Sequence, residues 1–133
     1  MSIAVLLAGL IWSSSVDPSR SEISNNIKGM PPAVLATSTT EKIKLAEHLT
    51  SQGAVMYNAY WCPHCHDQKE MFGKEAAEKL NLVECAEDGF NNQRQLCKDK
   101  GITGFPSWEI NGSIDSGVKT LKELAELSNF KGP

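Results

Sequence analysis

Two cysteines separated by two residues, Cys62 and Cys65, place the strongest constraint on how this chain folds. An apolar run, 54–60, precedes them and predicts a buried strand, and Pro63 suits the first turn of a helix that begins at the pair. The helix dipole and the unpaired backbone N–H groups at such a terminus stabilise an anion. A thiolate is the form that attacks a disulfide, so the pair is predicted to switch between dithiol and disulfide.

Length and charge limit the classes of protein to consider. A chain of 133 residues has room for one domain and a tail. The net charge is −3 and no basic stripe is present, so nucleic acid is not an expected partner. The four cysteines are too few for a disulfide scaffold and suit one catalytic pair and one second pair, Cys85 and Cys97.

The N-terminal part differs from the rest of the chain. Residues 1–12 contain an uncharged apolar run, which three hypotheses explain: a secretory segment without its positive region, the end of a membrane helix, or a buried helix. The membrane-helix remnant is favoured, and the first two hypotheses place the domain outside the cytoplasm, where disulfides persist. Residues 13–38, rich in Ser, Asn, Gly and Pro, are interpreted as a linker.

From residue 39 onward the pattern becomes regular. Thr40 is predicted to cap a helix that ends near Ser51, and Thr120 a last helix that ends near Leu127. Asn111-Gly112 predicts a hairpin. The remaining predicted elements are the strand 54–60, the helix from the cysteine pair, the strand 82–86, the helix 91–100, and the strands 106–110 and 113–118. This order predicts an α/β fold with a mixed sheet covered on both faces.

The element order and two motifs resemble the thioredoxin superfamily over residues 40–130. The motifs are Trp61-Cys62-Pro63-His64-Cys65 after a strand and Gly104-Phe105-Pro106 before the hairpin. The resemblance implies a thioredoxin-like domain over 39–133, with a central mixed sheet flanked by helices. It also implies that Pro106 is a cis-proline lying against the cysteine pair and that Phe105 presents its backbone to an extended substrate.

The segments 58–65, 83–86 and 101–108 are also similar to the thioredoxin-like domain attached to bacterial, especially cyanobacterial, vitamin K epoxide reductase homologues. In those proteins a membrane helix bundle carries a quinone, and the domain follows the last membrane helix. The resemblance implies a membrane-tethered domain on the periplasmic or thylakoid-lumen side. It would pass electrons from cysteine-containing substrate proteins to a quinone-reducing membrane domain, in cis or in trans, with no cofactor of its own.

Each residue of the active-site motif receives an expected role. Cys62 is the nucleophile, and Cys65, the less exposed of the two, resolves the mixed disulfide. Trp61 shields the pair and contacts partners. Pro63-His64 resembles the dipeptide of an oxidising periplasmic member of the superfamily, and His64 is expected to stabilise the Cys62 thiolate, which favours disulfide donation.

Other functions stay open on the sequence. The domain could act as a disulfide reductase or isomerase, and the pair could be an inert buried disulfide. Cys62-x-x-Cys65-His66 also matches c-type haem attachment. The four cysteines could hold zinc, although eleven residues separate Cys85 from Cys97. A non-catalytic module that binds metal or an apocytochrome is therefore the alternative from another class.

Further expectations concern the second cysteine pair and the charged residues near Cys65. A Cys85–Cys97 disulfide is expected to be structural rather than a relay to the active-site pair. Lys69 and Glu70 are expected on a solvated helix face. No acid is evident on the strand before the pair, where Asn58 stands, so the proton acceptor of Cys65 is left unassigned.

Overall fold

Five helices and four strands follow one another in the computed structural model, which describes residues 28–132. They are α1 (Thr40–Ser51), β1 (Val55–Asn58), α2 (Pro63–Phe72), α3 (Lys74–Ala77), β2 (Leu82–Glu84), α4 (Arg94–Asp99), β3 (Ser107–Ile110), β4 (Ser113–Ser116) and α5 (Leu121–Leu127). Within this range no helix combines the length and the apolar character needed to cross a bilayer. The apolar segment 1–12 and residues 13–27 of the predicted linker lie outside the described residues.

The four strands form one mixed sheet in the order β2-β1-β3-β4. β1 pairs with β2 in parallel, while β1 and β3, and β3 and β4, pair antiparallel. Met56 at the centre of β1 is aligned with Leu82 on one side and with Trp108 on the other. Helices flank this sheet, which confirms the predicted α/β, thioredoxin-like architecture.

The two faces of the sheet bury different clusters because side chains alternate along each strand. Met56 belongs to the larger cluster, with Phe72 of α2, Trp108 of β3 and both cysteines of the pair. Its neighbour Tyr57 belongs to a smaller cluster with Val83, Cys85 and Cys97. The active-site pair and the second cysteine pair therefore pack in separate clusters.

Short polar signals determine where the elements begin and end. Thr39, not Thr40, caps α1, since its Oγ1 accepts a hydrogen bond from the N–H of Lys42 at 3.3 Å. Thr120 caps α5 as predicted, accepting from the N–H of Glu123 at 3.1 Å. In the predicted hairpin, Asn111 and Gly112 both have positive φ, 52° and 78°, as a tight two-residue turn requires.

The predicted helix after the cysteine pair is interrupted, and the predicted helix 91–100 is shorter than expected. Gly73, with φ of 87°, ends α2 and precedes the short α3. A Cβ at Gly73 would lie 2.6 Å from the Ser38 hydroxyl oxygen, so the chain here needs a residue without a side chain. Asn91 has φ of 50°, a left-handed conformation that a helix cannot include, and α4 starts only at Arg94.

Residues 28–38, which we call the strap, run along α2 and α3. The carboxylate of Glu70 on α2 accepts hydrogen bonds from the N–H groups of Leu35 and Ala36, at 2.7 and 3.0 Å. The Ser38 hydroxyl donates to the carbonyl of Phe72 at 2.8 Å, and the Gly29 carbonyl accepts from the N–H of Phe90 at 3.1 Å. This part of the predicted linker is therefore hydrogen-bonded to the domain, while the boundary at residue 39 stays a prediction.

Candidate active site

The cysteine pair lies at the start of α2, directly after the turn that follows β1. Cys62 is the N-cap residue of α2, and Cys65 lies in its first turn. Both are free thiols, with Cys62 7% exposed and Cys65 1% exposed. The Cys62 Sγ donates a hydrogen bond to the carbonyl oxygen of Phe105 over 3.7 Å. Both residues are therefore buried, with Cys62 the more exposed of the two, as predicted.

The loop before β3 forms the opposite side of the site. The Phe105–Pro106 peptide bond is cis, and Pro106 is fully buried. The hydroxyl of Ser107 donates to the carbonyl of Gly104 at 2.6 Å, which closes the loop on itself. The Trp61 ring stands edge-on to the Phe105 ring, with centroids 6.1 Å apart and planes at 89°. The fold thus brings the two sequence motifs together across Cys62.

The residues between the cysteines point outward. Pro63 and His64 are both exposed on the first turn of α2. Trp61 is 59% exposed, which is unusual for a ring of this size and is typical of a contact surface. These positions leave Trp61, Pro63 and His64 accessible to a partner that approaches Cys62, and the modulating role of His64 stays a prediction.

A buried hydrogen-bond network attaches α2 to the sheet one turn after the pair. The side chain of Gln68 is fully buried, and its Oε1 accepts from the Trp108 indole N–H at 3.1 Å and from the N–H of Lys119 at 2.8 Å. Its Nε2 donates to the Lys119 carbonyl at 3.0 Å. Since each buried polar atom of Gln68 has a partner, the network orients α2, and with it Cys65, without an unsatisfied group.

The environment of Cys65 opposes ionisation. Burial raises the pKa of the Cys65 thiol to about 12, although a backbone hydrogen bond from Ala59 and the charge of Lys69 both act to lower it. Lys69 is only 4% exposed, so the prediction of a solvated position for it is wrong. Burial lowers the pKa of the Lys69 ammonium group, while the negative charges of Cys65 and Glu84 oppose this effect. Lys69 is thus a buried cation whose charge acts on Cys65.

Glu84, at the end of β2, is a half-buried acid that the sequence analysis did not find. Its Oε1 accepts from the N–H groups of Tyr60 and Ala86, at 3.0 and 3.2 Å. Burial raises the pKa of the Glu84 carboxyl, partly offset by these two bonds and by Lys69. A Cβ at Gly89 would lie 2.5 Å from the Glu84 Cγ, so glycine leaves room for the carboxylate.

The position of Glu84 explains why sequence reasoning missed it. The acid was sought on β1, where Asn58 stands, but in the parallel pairing Asn58 is aligned with Glu84 of β2. The expected carboxylate is therefore one strand further along the sheet. A polar residue between two buried ones, Val83 and Cys85, was the available signal, and strand register was needed to interpret it.

The second cysteine pair is bonded. A disulfide joins Cys85, just after β2, to Cys97 in α4, with the Cα atoms 5.8 Å apart. Two sulfurs that bond each other are unavailable as zinc thiolates, which speaks against the four-cysteine zinc hypothesis. Whether this disulfide also exchanges with Cys62 and Cys65 stays a prediction.

An apolar cavity of about 410 Å³, here called the active-site pocket, opens beside Cys62. Its lining residues come from the strap and from the start of α2; they are Met30, Pro32, Tyr60, Trp61, Cys62, Pro63 and His66. His66 was expected to be exposed, but its side chain is 29% exposed, with Nε2 3.4 Å from the Glu70 carboxylate. Its Nδ1 is buried, without a hydrogen-bond partner among the described residues.

Fold and site together define a thioredoxin-like domain that carries a dithiol at a helix start, against a cis-proline loop. No family model matches the chain. Over 100 residues the chain is 49% identical to the thiol-disulfide oxidoreductase LTO1 of Arabidopsis thaliana. The match covers 73% of this chain and 27% of that protein, so the chain spans just over a quarter of the length of its relative. This similarity supports the interpretation of the chain as a thioredoxin-like oxidoreductase.

Proposed function

We propose that this chain is a protein thiol–disulfide oxidoreductase that exchanges disulfides with cysteine-containing proteins through Cys62 and Cys65. One observation carries the proposal: the two thiols share a helix start, where Cys62, 7% exposed, borders an open pocket and Cys65 is 1% exposed. An inert structural pair would have no need of an accessible rim, an exposed Trp61 and an adjacent apolar pocket. The name of the relative supports the same reaction.

The exchange proceeds in two balanced steps when the pair starts as a disulfide. A substrate thiolate attacks the Cys62 Sγ, the Cys62–Cys65 bond breaks, and Cys65 leaves as a thiolate that takes up a proton. A second substrate thiolate then attacks the substrate sulfur of the mixed disulfide and expels Cys62. Two electrons pass from two substrate thiols to the pair, and the substrate gains one disulfide. The start of α2 stabilises the departing Cys62 thiolate.

The groups around Cys65 make its departure possible. A buried thiolate is costly, as the pKa of about 12 indicates, so the leaving sulfur needs a nearby positive charge and a proton. Lys69 supplies the charge, because its ammonium group favours the Cys65 thiolate. Glu84, coupled to Lys69 by charge, is the half-buried carboxyl that can hold a proton beside this pair. We assign both as positioning residues that tune the reaction of Cys65.

We further propose that the direction is oxidative. The domain donates disulfides to folding proteins on the periplasmic or thylakoid-lumen side, tethered to the membrane, and returns the electrons to a quinone-reducing vitamin K epoxide reductase-like membrane domain. Support comes from the Pro63-His64 dipeptide, from the motif resemblance, and from the Cys85–Cys97 disulfide, which suits an oxidising compartment. In this proposal the quinone belongs to the partner and the domain needs no cofactor.

The test is the redox equilibrium of Cys62–Cys65 with glutathione, followed by alkylation and mass spectrometry. A potential near about −120 mV would identify a disulfide donor, and a value near about −270 mV would identify a reductase and reverse the direction. Turnover is measured with a reduced, unfolded substrate protein that regains its native disulfides. Cys62→Ser must abolish turnover and Cys65→Ser must accumulate mixed disulfides. Turnover by Cys62→Ser at the parent rate would refute the assignment.

A further inference from the structure

The active-site pocket is separate from the cis-proline loop, although both border Cys62. The loop contacts Cys62 through the Phe105 carbonyl, whereas the pocket is walled by Met30 and Pro32 of the strap. Its lining is apolar apart from His66 and the edge of Tyr60. The Tyr60 hydroxyl donates to the carboxylate of Asp88 at 2.8 Å, so its polar end is already bound.

The strap holds this wall in place from both ends. Gly29 is bonded to the N–H of Phe90, and the amides of Leu35 and Ala36 are bonded to the Glu70 carboxylate. These two amide bonds hold the pKa of Glu70 below its ordinary value, so the carboxylate stays charged at neutral pH. Met30 and Pro32 lie between the two attachments. The pocket is therefore formed before any ligand arrives, which lowers the cost of binding.

We propose that the active-site pocket binds a large apolar side chain of the substrate, one or two residues from the cysteine that reacts with Cys62. This proposal rests on the proposed function. In a mixed disulfide the two cysteine Cα atoms lie about 5.5–6 Å apart, and each further residue adds at most about 3.6 Å. The neighbours of the substrate cysteine are therefore within reach of the rim that Cys62 shares with the pocket. The cis-proline side contacts the backbone, and the pocket selects a side chain.

The occupant is an apolar side chain because most of the lining, Met30, Pro32, Trp61 and Pro63 included, is apolar. Trp61, 59% exposed beside the opening, extends the apolar surface outward from the pocket. Burial of one such side chain in the pocket raises the second-order rate constant for reaction with Cys62 about ten- to a hundredfold. A substrate with leucine or phenylalanine beside its cysteine should accordingly react faster than one with serine at that position.

The experiment uses single-cysteine peptides that carry a coloured aromatic thiol on the cysteine as a mixed disulfide. The Cys65→Ser variant of the full chain attacks them through Cys62, and release of the colour gives the second-order rate constant. Peptides differ only in leucine or serine next to the cysteine, and activated free cysteine reports the reactivity of the Cys62 thiol itself. We expect leucine to react about tenfold faster than serine.

Two variants, each combined with Cys65→Ser, show whether the active-site pocket causes the preference for leucine. Met30→Ser removes part of the pocket wall and should lower the leucine-to-serine ratio to about twofold. Leu35→Ser is the matched control, because Leu35 is also on the strap but is 83% exposed and outside the lining. It should keep the parent ratio, and circular dichroism should show the same fold for both variants. Reaction with activated free cysteine should not change in Leu35→Ser, and in Met30→Ser it corrects the peptide rates for any change in the Cys62 thiol itself.

The outcomes separate the inference from the proposed function. Equal rates for the leucine and serine peptides, or a preference that survives Met30→Ser, would overturn the pocket assignment while exchange through Cys62 still stands. No reaction of Cys62 with activated free cysteine would instead refute the proposed function. A dimer in solution that Met30→Ser converts to a monomer, with no peptide preference, would identify a second copy of this chain as the occupant and also overturn the proposal.

Discussion

Replacing Cys85 and Cys97 with alanine tests whether their disulfide is structural. The two residues are 12 apart in sequence, so the bond closes a loop of about 13 residues, and loop entropy then contributes about 3 kcal/mol to the free energy of unfolding. Both cysteine residues are also buried, at 8% and 5% exposure, in a cluster with Tyr57 and Val83. The double variant should therefore remain folded but lose at least this amount of stability.

The expected change is large enough to measure directly. For a domain of this size, about 3 kcal/mol lowers the melting temperature by about 12–24 °C. Urea unfolding followed by circular dichroism gives the free energy, with the Cys62–Cys65 pair kept oxidised in both proteins. A reductant provides the control, because it opens Cys62–Cys65 in both proteins but has the Cys85–Cys97 bond to open only in the parent, so the fully reduced parent should match the reduced Cys85→Ala/Cys97→Ala variant in stability.

Two results would contradict the reasoning in different ways. If the double variant unfolds with a free energy within about 1 kcal/mol of the parent, the loop-closure argument is wrong, since loss of a native disulfide normally costs more. If the variant is folded at the assay temperature but no longer oxidises a substrate protein, the second disulfide is a relay. The structural interpretation requires loss of stability together with retained exchange through Cys62 and Cys65.

Three further predictions follow from the site and from α1. Burial, the largest cause of the raised pKa of the Cys65 thiol, remains in Cys62→Ser, so alkylation of the reduced variant at about pH 8 should be more than about tenfold slower than for a small thiol; a rate within tenfold contradicts this. The pKa of Glu84 in the folded protein lies above 4.5, so its protonated carboxyl adds to the free energy of unfolding at low pH. This contribution is lost as the pH rises through the pKa of the folded state. The free energy of unfolding of the parent, relative to Glu84→Gln, should accordingly fall between pH 4.5 and neutrality; a rise in the urea-unfolding series would refute the burial argument. Thr39→Ala should cost about 1 kcal/mol by thermal unfolding and the control Thr40→Ala much less; equal losses would contradict the assigned cap.

Local features of the sequence were sufficient for the elements and for the reactive pair. Hydrophobic periodicity, caps and turn residues act within a few positions, so the order of strands and helices, the Thr120 cap and the Asn111-Gly112 hairpin could be predicted. One error was also local, since the cap of α1 is Thr39 and not its neighbour Thr40.

What the sequence by itself determined is therefore the fold class, together with the hypothesis that Cys62 and Cys65 exchange disulfides, because spacing along the chain carries both. Tertiary structure alone decided what surrounds them. Glu84 stands beside Asn58 through strand register, and Lys69 is buried because its face of α2 packs inward. Met30 reaches the pocket because Glu70, forty residues further along the chain, binds strap amides. These placements depend on contacts between residues far apart in sequence, which a local pattern does not encode.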